Sequence, residues 1–278
     1  MSELLGAAEI RALASELGVS PTKKLGQNFV IDPNTIRKIV SVAKLSGDET
    51  VVEIGPGLGS LTLGLLEVVN NVIAVEIDNK MAEAIERTVR SKEPNKNFQL
   101  VHADALKVTE LPMQPDALVA NLPYNISVPV LLHFLEHFPS IASGVVLVQA
   151  EVAHRLAAKP GSKIYGSPSV KLAWYAESNL AGNVGRNVFW PAPNVDSALV
   201  YFKKRAEALG DEELRKKTFS VIDEAFLHRR KTLRQAIANF AGSPALAEEL
   251  LTKAGIASTA RGEDLTVLDF VEIAKAKS

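Results

Sequence analysis

TVVEIGPGLGSLTLGLL, residues 50–66, reads as a short apolar run, a glycine-rich turn and the start of a helix. The run is rich in β-branched residues and short enough for a buried strand. Gly55, Gly57 and Gly59 follow it, and glycines at such a turn let backbone amides approach a ligand closely. Strand, tight turn and helix in this order is the repeating unit of a parallel α/β sheet.

The same alternation continues outward from this stretch. NVIAVEID (71–78), FQLVHAD (98–104), DALVANLP (116–123) and GVVLVQA (144–150) are short apolar runs with helical segments between them. They predict an α/β fold with a mainly parallel, doubly wound sheet. Two β-like runs near 170–176 and 197–202 are expected to close the sheet with an antiparallel edge. Upstream, 7–17 and 33–45 have helical spacing, and Asp32 before Pro33 reads as an N-cap with proline at the first helical position. Beyond Lys203-Lys204-Arg205, LGDEELRKKTFSVIDEAFLHRRKTLRQAIANF, SPALAEELLTKAGI and LTVLDFVEIAKA are all helical in period. The expected organisation is a helical segment with a covering loop over 1–45, packed on an α/β domain over 46–207, then a small all-α domain over 208–278.

Charged residues make up 23% and apolar ones 47% of the 278, which excludes a disordered or fibrous chain. With no cysteine, disulfides, thiolate metal sites and thiol nucleophiles are excluded together. The start MSELLGAAEI has no basic, long-apolar leader pattern, so a cytoplasmic location is expected. Residues 117–135 lack Asp, Glu, Lys and Arg, yet Asn121, Pro123, Asn125, Ser127, Pro129 and His133 interrupt them. A strand, loop and buried helix fit that stretch better than a membrane span. The formal net charge of −1 means that any polyanion site must be a local patch.

The glycine spacing is G-x-G-x-G, whereas the dinucleotide pattern needs Gly or Ala at position 60, where serine stands. Glu76, at the end of the second strand, is placed to accept two hydrogen bonds from the vicinal hydroxyls of a ribose. Asp104, at the end of the third, is placed to accept from an exocyclic adenine amine. Together these describe an adenosine site with no pyrophosphate cradle, which points to S-adenosylmethionine as cofactor.

VANLPYN (119–125) ends the fourth strand at the same sheet edge. Asn and Pro after a strand are also ordinary turn chemistry. With a target adenine beside the cofactor, however, the Asn121 side-chain oxygen and a carbonyl at Leu122 or Pro123 can accept the two N6 hydrogens, while Tyr124 packs on the ring. The N6 lone pair is delocalised into the ring, so carbonyl acceptors favour the more tetrahedral, partly cationic nitrogen of the transition state. The sulfonium is already a good leaving group, and neither a metal nor a strong base is expected.

LGQNF, EIGPGLGSLT, VEID, HADAL, NLPYNIS, SKIYGSPSV and FWPAPNVDSALV together resemble the small-subunit ribosomal RNA adenine dimethyltransferases, from about residue 22 to the C-terminal helices. The resemblance implies a Rossmann-like S-adenosylmethionine-dependent methyltransferase fold. It implies conversion of two adjacent adenosines in the 3′-terminal hairpin loop of 16S rRNA to N6,N6-dimethyladenosine, with a role in small-subunit biogenesis. By position, Asn28 and Val30 match cofactor contacts, Gly55 and Gly57 the glycine loop, Glu76 the ribose acceptor, Asp104 the cofactor-adenine contact and Asn121 the catalytic-loop asparagine. Val30 stands where leucine is more usual, which a backbone contact tolerates. Phe189, opening F-x-P-x-P-x-V-x-S over 189–197, matches the aromatic that stacks on the target base.

Residues 203–234 carry ten Lys or Arg against six Asp or Glu, a formal +4. Lys203, Lys204, Arg229, Arg230, Lys231 and Arg234 are the expected RNA contacts, positioning the enzyme through phosphates. The implied partner is 16S rRNA within the small subunit or its precursor, with no membrane, and the chain is expected to be monomeric. The alternatives are a 23S rRNA adenine N6-methyltransferase of the antibiotic-resistance type, a ribosome-assembly checkpoint whose catalysis is incidental, and a nicotinamide oxidoreductase, against which Ser60 argues. His133 to His137, HFLEH, match an H-x-x-E-H zinc-peptidase order. Without a third ligand, a half-buried pair is expected there.

Overall fold

The computed structural model describes residues 4–18 and 28–277; most of the expected cofactor-covering loop, 19–27, lies outside them. The chain divides into two compact units, Met1–Ala153 with Asn179–Lys204, and His154–Ser178 with Arg205–Ser278. The strands are β1 (Phe29–Val30), β2 (Thr50–Ile54), β3 (Asn71–Glu76), β4 (Asn97–His102), β5 (Ala117–Asn121), β6 (Ser143–Gln149), β7 (Ala176–Val184), β8 (Phe189–Trp190) and β9 (Ser197–Lys204). The first seven helices are α1 (Ala7–Glu16), α2 (Pro33–Ala43), α3 (Ser60–Leu66), α4 (Asn79–Lys92), α5 (Ser127–His137), α6 (Ala150–Leu156) and α7 (Ser167–Tyr175).

The main sheet has seven strands in the order β4-β3-β2-β5-β6-β9-β7. The five from β4 to β6 run parallel, and β9 returns antiparallel to β6. Strands β2, β3 and β5 are buried almost throughout, which is why they read as continuous apolar runs rather than alternating ones. The chain leaves β2 towards β3 and β4 and comes back on the other side as β5, so the strand order reverses between β2 and β5. A crevice over the carboxyl ends of strands at such a reversal is where open α/β sheets bind ligands.

Local chemistry fixes the helix starts. Asp32 accepts from the N–H groups of Asn34 and Thr35 with Pro33 in the first turn of α2, and Asp78 caps α4 through Lys80 and Met81; each satisfies donors a helix cannot pair internally. Neighbouring strands leave no room at Gly144 of β6, where an added Cβ would meet the Leu118 carbonyl oxygen and lie 2.5 Å from the Phe202 ring. Gly144→Ala is therefore expected to cost about 1–3 kcal/mol, read as a Tm several degrees lower in a thermal melt. An unchanged Tm would show that β5 and β9 yield without strain.

Residues 170–175, expected as a strand, form most of α7 instead. Val170, Leu172 and Trp174 alternate as in a strand, but Pro168 in the first turn and the Gly166 N–H donating to Ser169 Oγ begin a helix, and the strand starts only at Ala176. The run at 197–202 does form the antiparallel strand.

In the second unit, α8 (Glu212–Leu227), α9 (Leu233–Ala236), α10 (Ala238–Ala241), α11 (Pro244–Lys253) and α12 (Val267–Ala276) follow one another. Asp211, Ser243 and Thr266 cap α8, α11 and α12. The segment 154–178, placed by its sequence in the α/β span of 46–207, belongs to this unit. Tyr165, buried, donates to the Leu265 carbonyl at 2.9 Å, and Arg205 donates to the Ala173 carbonyl at 2.6 Å. These partners lie 100 and 32 residues apart in the chain, and no local pattern announces them.

Candidate active site

One cavity of about 310 Å³ sits over the carboxyl ends of β2, β3 and β5 and gathers Asn28, Val30, Gly55, Gly57, Glu76, Asp104 and Asn121 to Tyr124. These are ten of the eleven positions singled out from sequence for cofactor or target base. The exception is Phe189. It is 3% exposed, belongs to the apolar core and does not line the cavity. Its strand pairs with β1, Val30 opposite Phe189 and Phe29 opposite Trp190, so in this structure the ring lies in the core beside the Asn28 to Val30 segment.

The glycine turn has the conformation its composition demands. Gly55, Gly57 and Gly59 have φ of +68°, +55° and +97°, a region that side chains disfavour. A Cβ on Gly57 would stand 2.8 Å from Phe29 Cε1, and one on Gly59 2.5 Å from Ile85 Cδ1. The loop is thus pressed between β1 and α4 with backbone on its open side.

Glu76 organises the floor. Its Oε2 accepts from the Gly57 N–H at 3.3 Å, and its Oε1 from the N–H groups of Ile77 and Asp78 at 2.9 and 3.0 Å. Burial pushes its pKa up while these three donors pull it down, and burial is the larger effect. Asp104 Oδ1 accepts from the Leu106 N–H at 3.0 Å, and Oδ2 lies 3.8 Å from the Lys107 ammonium.

Asn121 donates through Nδ2 to the backbone carbonyl of Asn28 at 3.0 Å. A carbonyl only accepts, so that contact settles the amide orientation and leaves Oδ1 as the acceptor. In the turn that follows, the Pro123 carbonyl accepts from the Ile126 N–H at 3.2 Å. Tyr124 shares a hydrogen bond of 2.8 Å between its hydroxyl and Ser197 Oγ, and burial raises the phenol pKa.

Several lining residues had no mark in the sequence. Ile77 and Leu106, 60% and 37% exposed, stand beside the two strand-end carboxylates; exposed apolar residues after Glu76 and Asp104 were the available signal. Glu53, inside an apolar run, is 1% exposed and accepts from Thr62 Oγ1 at 2.5 Å. Burial, with Glu76 nearby as a smaller cause, pushes its pKa up to about 8, so Glu53 is neutral at pH 7.

The basic residues divide. Arg229 is held by Glu263 at 2.8 Å and donates to the carbonyls of Ser162 and Lys163; Arg234 pairs with Glu248 at 3.1 Å; Lys204 donates to the Pro139 carbonyl. Lys203, Arg230 and Lys231 are exposed. HRRK lies in the turn between α8 and α9 rather than on a helix. His133 Nε2 and His137 Nδ1 lie 2.7 and 2.9 Å from the carbonyls of Val108 and His133, which commits one nitrogen of each ring to donating. Among the described residues no His, Cys, Asp or Glu group is arranged to hold a metal ion, and no helix is long and apolar enough to cross a membrane.

The sequence matches the family described as Ribosomal RNA adenine dimethylase over residues 19–278. The chain belongs to that family. It is 60% identical over 273 residues to the Ribosomal RNA small subunit methyltransferase A of Leifsonia xyli, covering 98% of each chain. It is 58% identical over 279 residues to the protein of the same name from Paenarthrobacter aurescens, covering 100% of this chain and 95% of that one. Among solved structures, a dimethyladenosine transferase from Plasmodium falciparum matches with a TM-score of 0.74 at 24% identity, covering 87% of this chain and 94% of that one. The 23S rRNA methyltransferase ErmE matches with a TM-score of 0.67 at 27% identity, covering 90% and 99%. The fold is accordingly the Rossmann-like methyltransferase fold.

Proposed function

We propose that the chain transfers methyl groups from S-adenosylmethionine to N6 of two adjacent adenosines in the 3′-terminal hairpin loop of 16S rRNA, giving N6,N6-dimethyladenosine during small-subunit biogenesis. The observation that carries this is the lining of a single cavity. Glu53, Glu76, Asp78 and Asp104 contribute to it, and among the described residues no Lys or Arg does. A dinucleotide pyrophosphate needs donors and positive charge, whereas a sulfonium nucleoside, cationic at the reacting end, suits a cavity of carboxyl groups.

Bound there, S-adenosylmethionine supplies an electrophilic methyl group on a good leaving group. Glu76 would accept from its ribose hydroxyls and Asp104 from its adenine amine, with Ile77 and Leu106 against the flat faces of that ring. At the target base, Asn121 Oδ1 would accept one N6 hydrogen. The Leu122 carbonyl would accept the other, since the Pro123 carbonyl already accepts from the Ile126 N–H and has only one lone pair left. Tyr124 covers the base. Acceptors aimed at N6 favour its partly cationic form over the flat ground state, and the proton shed after transfer passes to water.

Identity to the small-subunit methyltransferases is 60% and 58%, against 27% to ErmE, which supports the small-subunit RNA over the large-subunit one. In the units as folded, Lys203, Arg230 and Lys231 are the residues assigned to phosphates, and the chain acts as a monomer. Mass spectrometry of rRNA fragments after incubation with protein and S-adenosylmethionine tests the reading on both rRNAs. Dimethyladenosine is expected in small-subunit RNA; its absence there would overturn the proposal, and its appearance only in 23S RNA would support the alternative.

Glu76→Gln keeps one acceptor and loses the other together with the charge. A hydrogen bond to a charged group is worth about 1.5–3 kcal/mol, so S-adenosylmethionine should bind about 10- to 100-fold more weakly in calorimetry. Unchanged affinity would remove the ribose assignment.

A further inference from the structure

Tyr124 is anchored at two ends that lie far apart in the sequence. Its backbone sits in the turn after β5, and its hydroxyl meets Ser197 Oγ at 2.8 Å. Ser197 is fully buried and opens β9, where it stands opposite Gln149, the last residue of β6. The serine is therefore held by the sheet, while the tyrosine it holds is only partly buried and lines the cavity beside Asn121.

An aromatic side chain has two free torsions, and fixing both needs a contact at the far end of the ring. Packing alone leaves a half-exposed ring free to rock. A hydrogen bond from a fully buried hydroxyl supplies the missing restraint, and a neutral phenol, favoured by the raised pKa of Tyr124, can both donate and accept in it. The ring plane over the mouth is then set before any base arrives.

We infer that Ser197 is a positioning residue for methyl transfer, fixing the plane of the Tyr124 ring so that it receives the target adenine face-on at Asn121. The inference rests on the reading of residues 121–124 as the adenine clamp. It gives the end of F-x-P-x-P-x-V-x-S a function: the motif that starts on the core residue Phe189 delivers Ser197 to the catalytic turn 73 residues away in sequence.

Ordering one side chain costs about 0.5–1.5 kcal/mol, which converts to a ~2- to 12-fold change in rate at about 1.4 kcal/mol per tenfold. Ser197→Ala and Tyr124→Phe should each lower kcat within that range, with the dissociation constant for S-adenosylmethionine unchanged. Because both act through one bond, the double variant should be no slower than the slower single variant. This non-additivity separates positioning from a general loss of strand stability, which lowers Tm without coupling to Tyr124. Should Ser197→Ala fold poorly, Tyr124→Phe keeps the ring and tests the same bond from the other side. Additive effects in the cycle, or a Tyr124→Phe variant with the parent kcat, would overturn the inference. Asn121→Ala in the same assay tells the two readings apart: full turnover there refutes the clamp, whereas lost turnover alongside an additive cycle refutes only the role of Ser197.

Discussion

Asn121→Ala is expected to lower methyl-transfer turnover by about 10²- to 10³-fold, the usual consequence of removing one preorganised polar group aimed at charge that develops in a transition state. The side chain has a defined orientation before substrate binds, since Nδ2 is committed to the Asn28 carbonyl at 3.0 Å. Its Oδ1 is therefore fixed as an acceptor with no reorganisation at the moment of reaction. Alanine removes both the acceptor and the tie to residue 28. Binding of S-adenosylmethionine, which the proposal assigns mainly to Glu76 and Asp104, should change much less than kcat. Single-turnover methylation of rRNA with calorimetry of the cofactor checks both halves, and a variant that loses cofactor affinity in proportion to turnover would place Asn121 in binding rather than catalysis.

Glu53→Gln is expected to abolish a pH dependence of stability. The carboxyl is buried and its pKa is raised from 4.5 to about 8. Below pH 4.5 both folded and unfolded chains carry the proton and there is no penalty. Between 4.5 and about 8 only the unfolded chain ionises, so folding stability falls as pH rises, by up to about 1.4 kcal/mol per pH unit. Above about 8 both forms ionise and the loss levels off, at a total on the order of 5 kcal/mol. Glutamine preserves the acceptor for Thr62 Oγ1 and cannot ionise. The Tm of the variant should therefore match the parent near pH 4.5, exceed it increasingly towards pH 8, and keep a constant lead above that. Parallel curves across the range would mean that Glu53 is ionised in the folded chain at neutral pH.

Glu53 also illustrates what a sequence conceals. In VVEIG an acid among β-branched residues looks like the polar end of a strand. Only the packing around it shows a carboxyl that is fully enclosed, held by one hydroxyl and close to a second carboxyl. Ser197 was legible as part of a motif, but not as the partner of a tyrosine in the turn after another strand. Residues 170–175 were misread because Val170, Leu172 and Trp174 alternate, although Pro168 opens a helix there. Arg229 and Arg234 counted as positive charge in a local sum, whereas the folded chain pairs them with Glu263 and Glu248, 34 and 14 residues on.

The sequence by itself determined the order of strands and helices, the glycine turn, and the placing of Glu76, Asp104 and Asn121 at successive strand ends, because these depend on residues near one another in the chain. Apolar spacing sets the period of each element, and in a parallel sheet the ends of neighbouring strands share one edge. The tertiary structure alone decided which side chains are enclosed, which carboxyl burial favours in its neutral form, and which distant residues meet. It turned Phe189 inward against β1, neutralised Glu53 and tied Tyr124 to Ser197. Burial and pairing are made by residues brought together from far along the chain, and local sequence carries no measure of them.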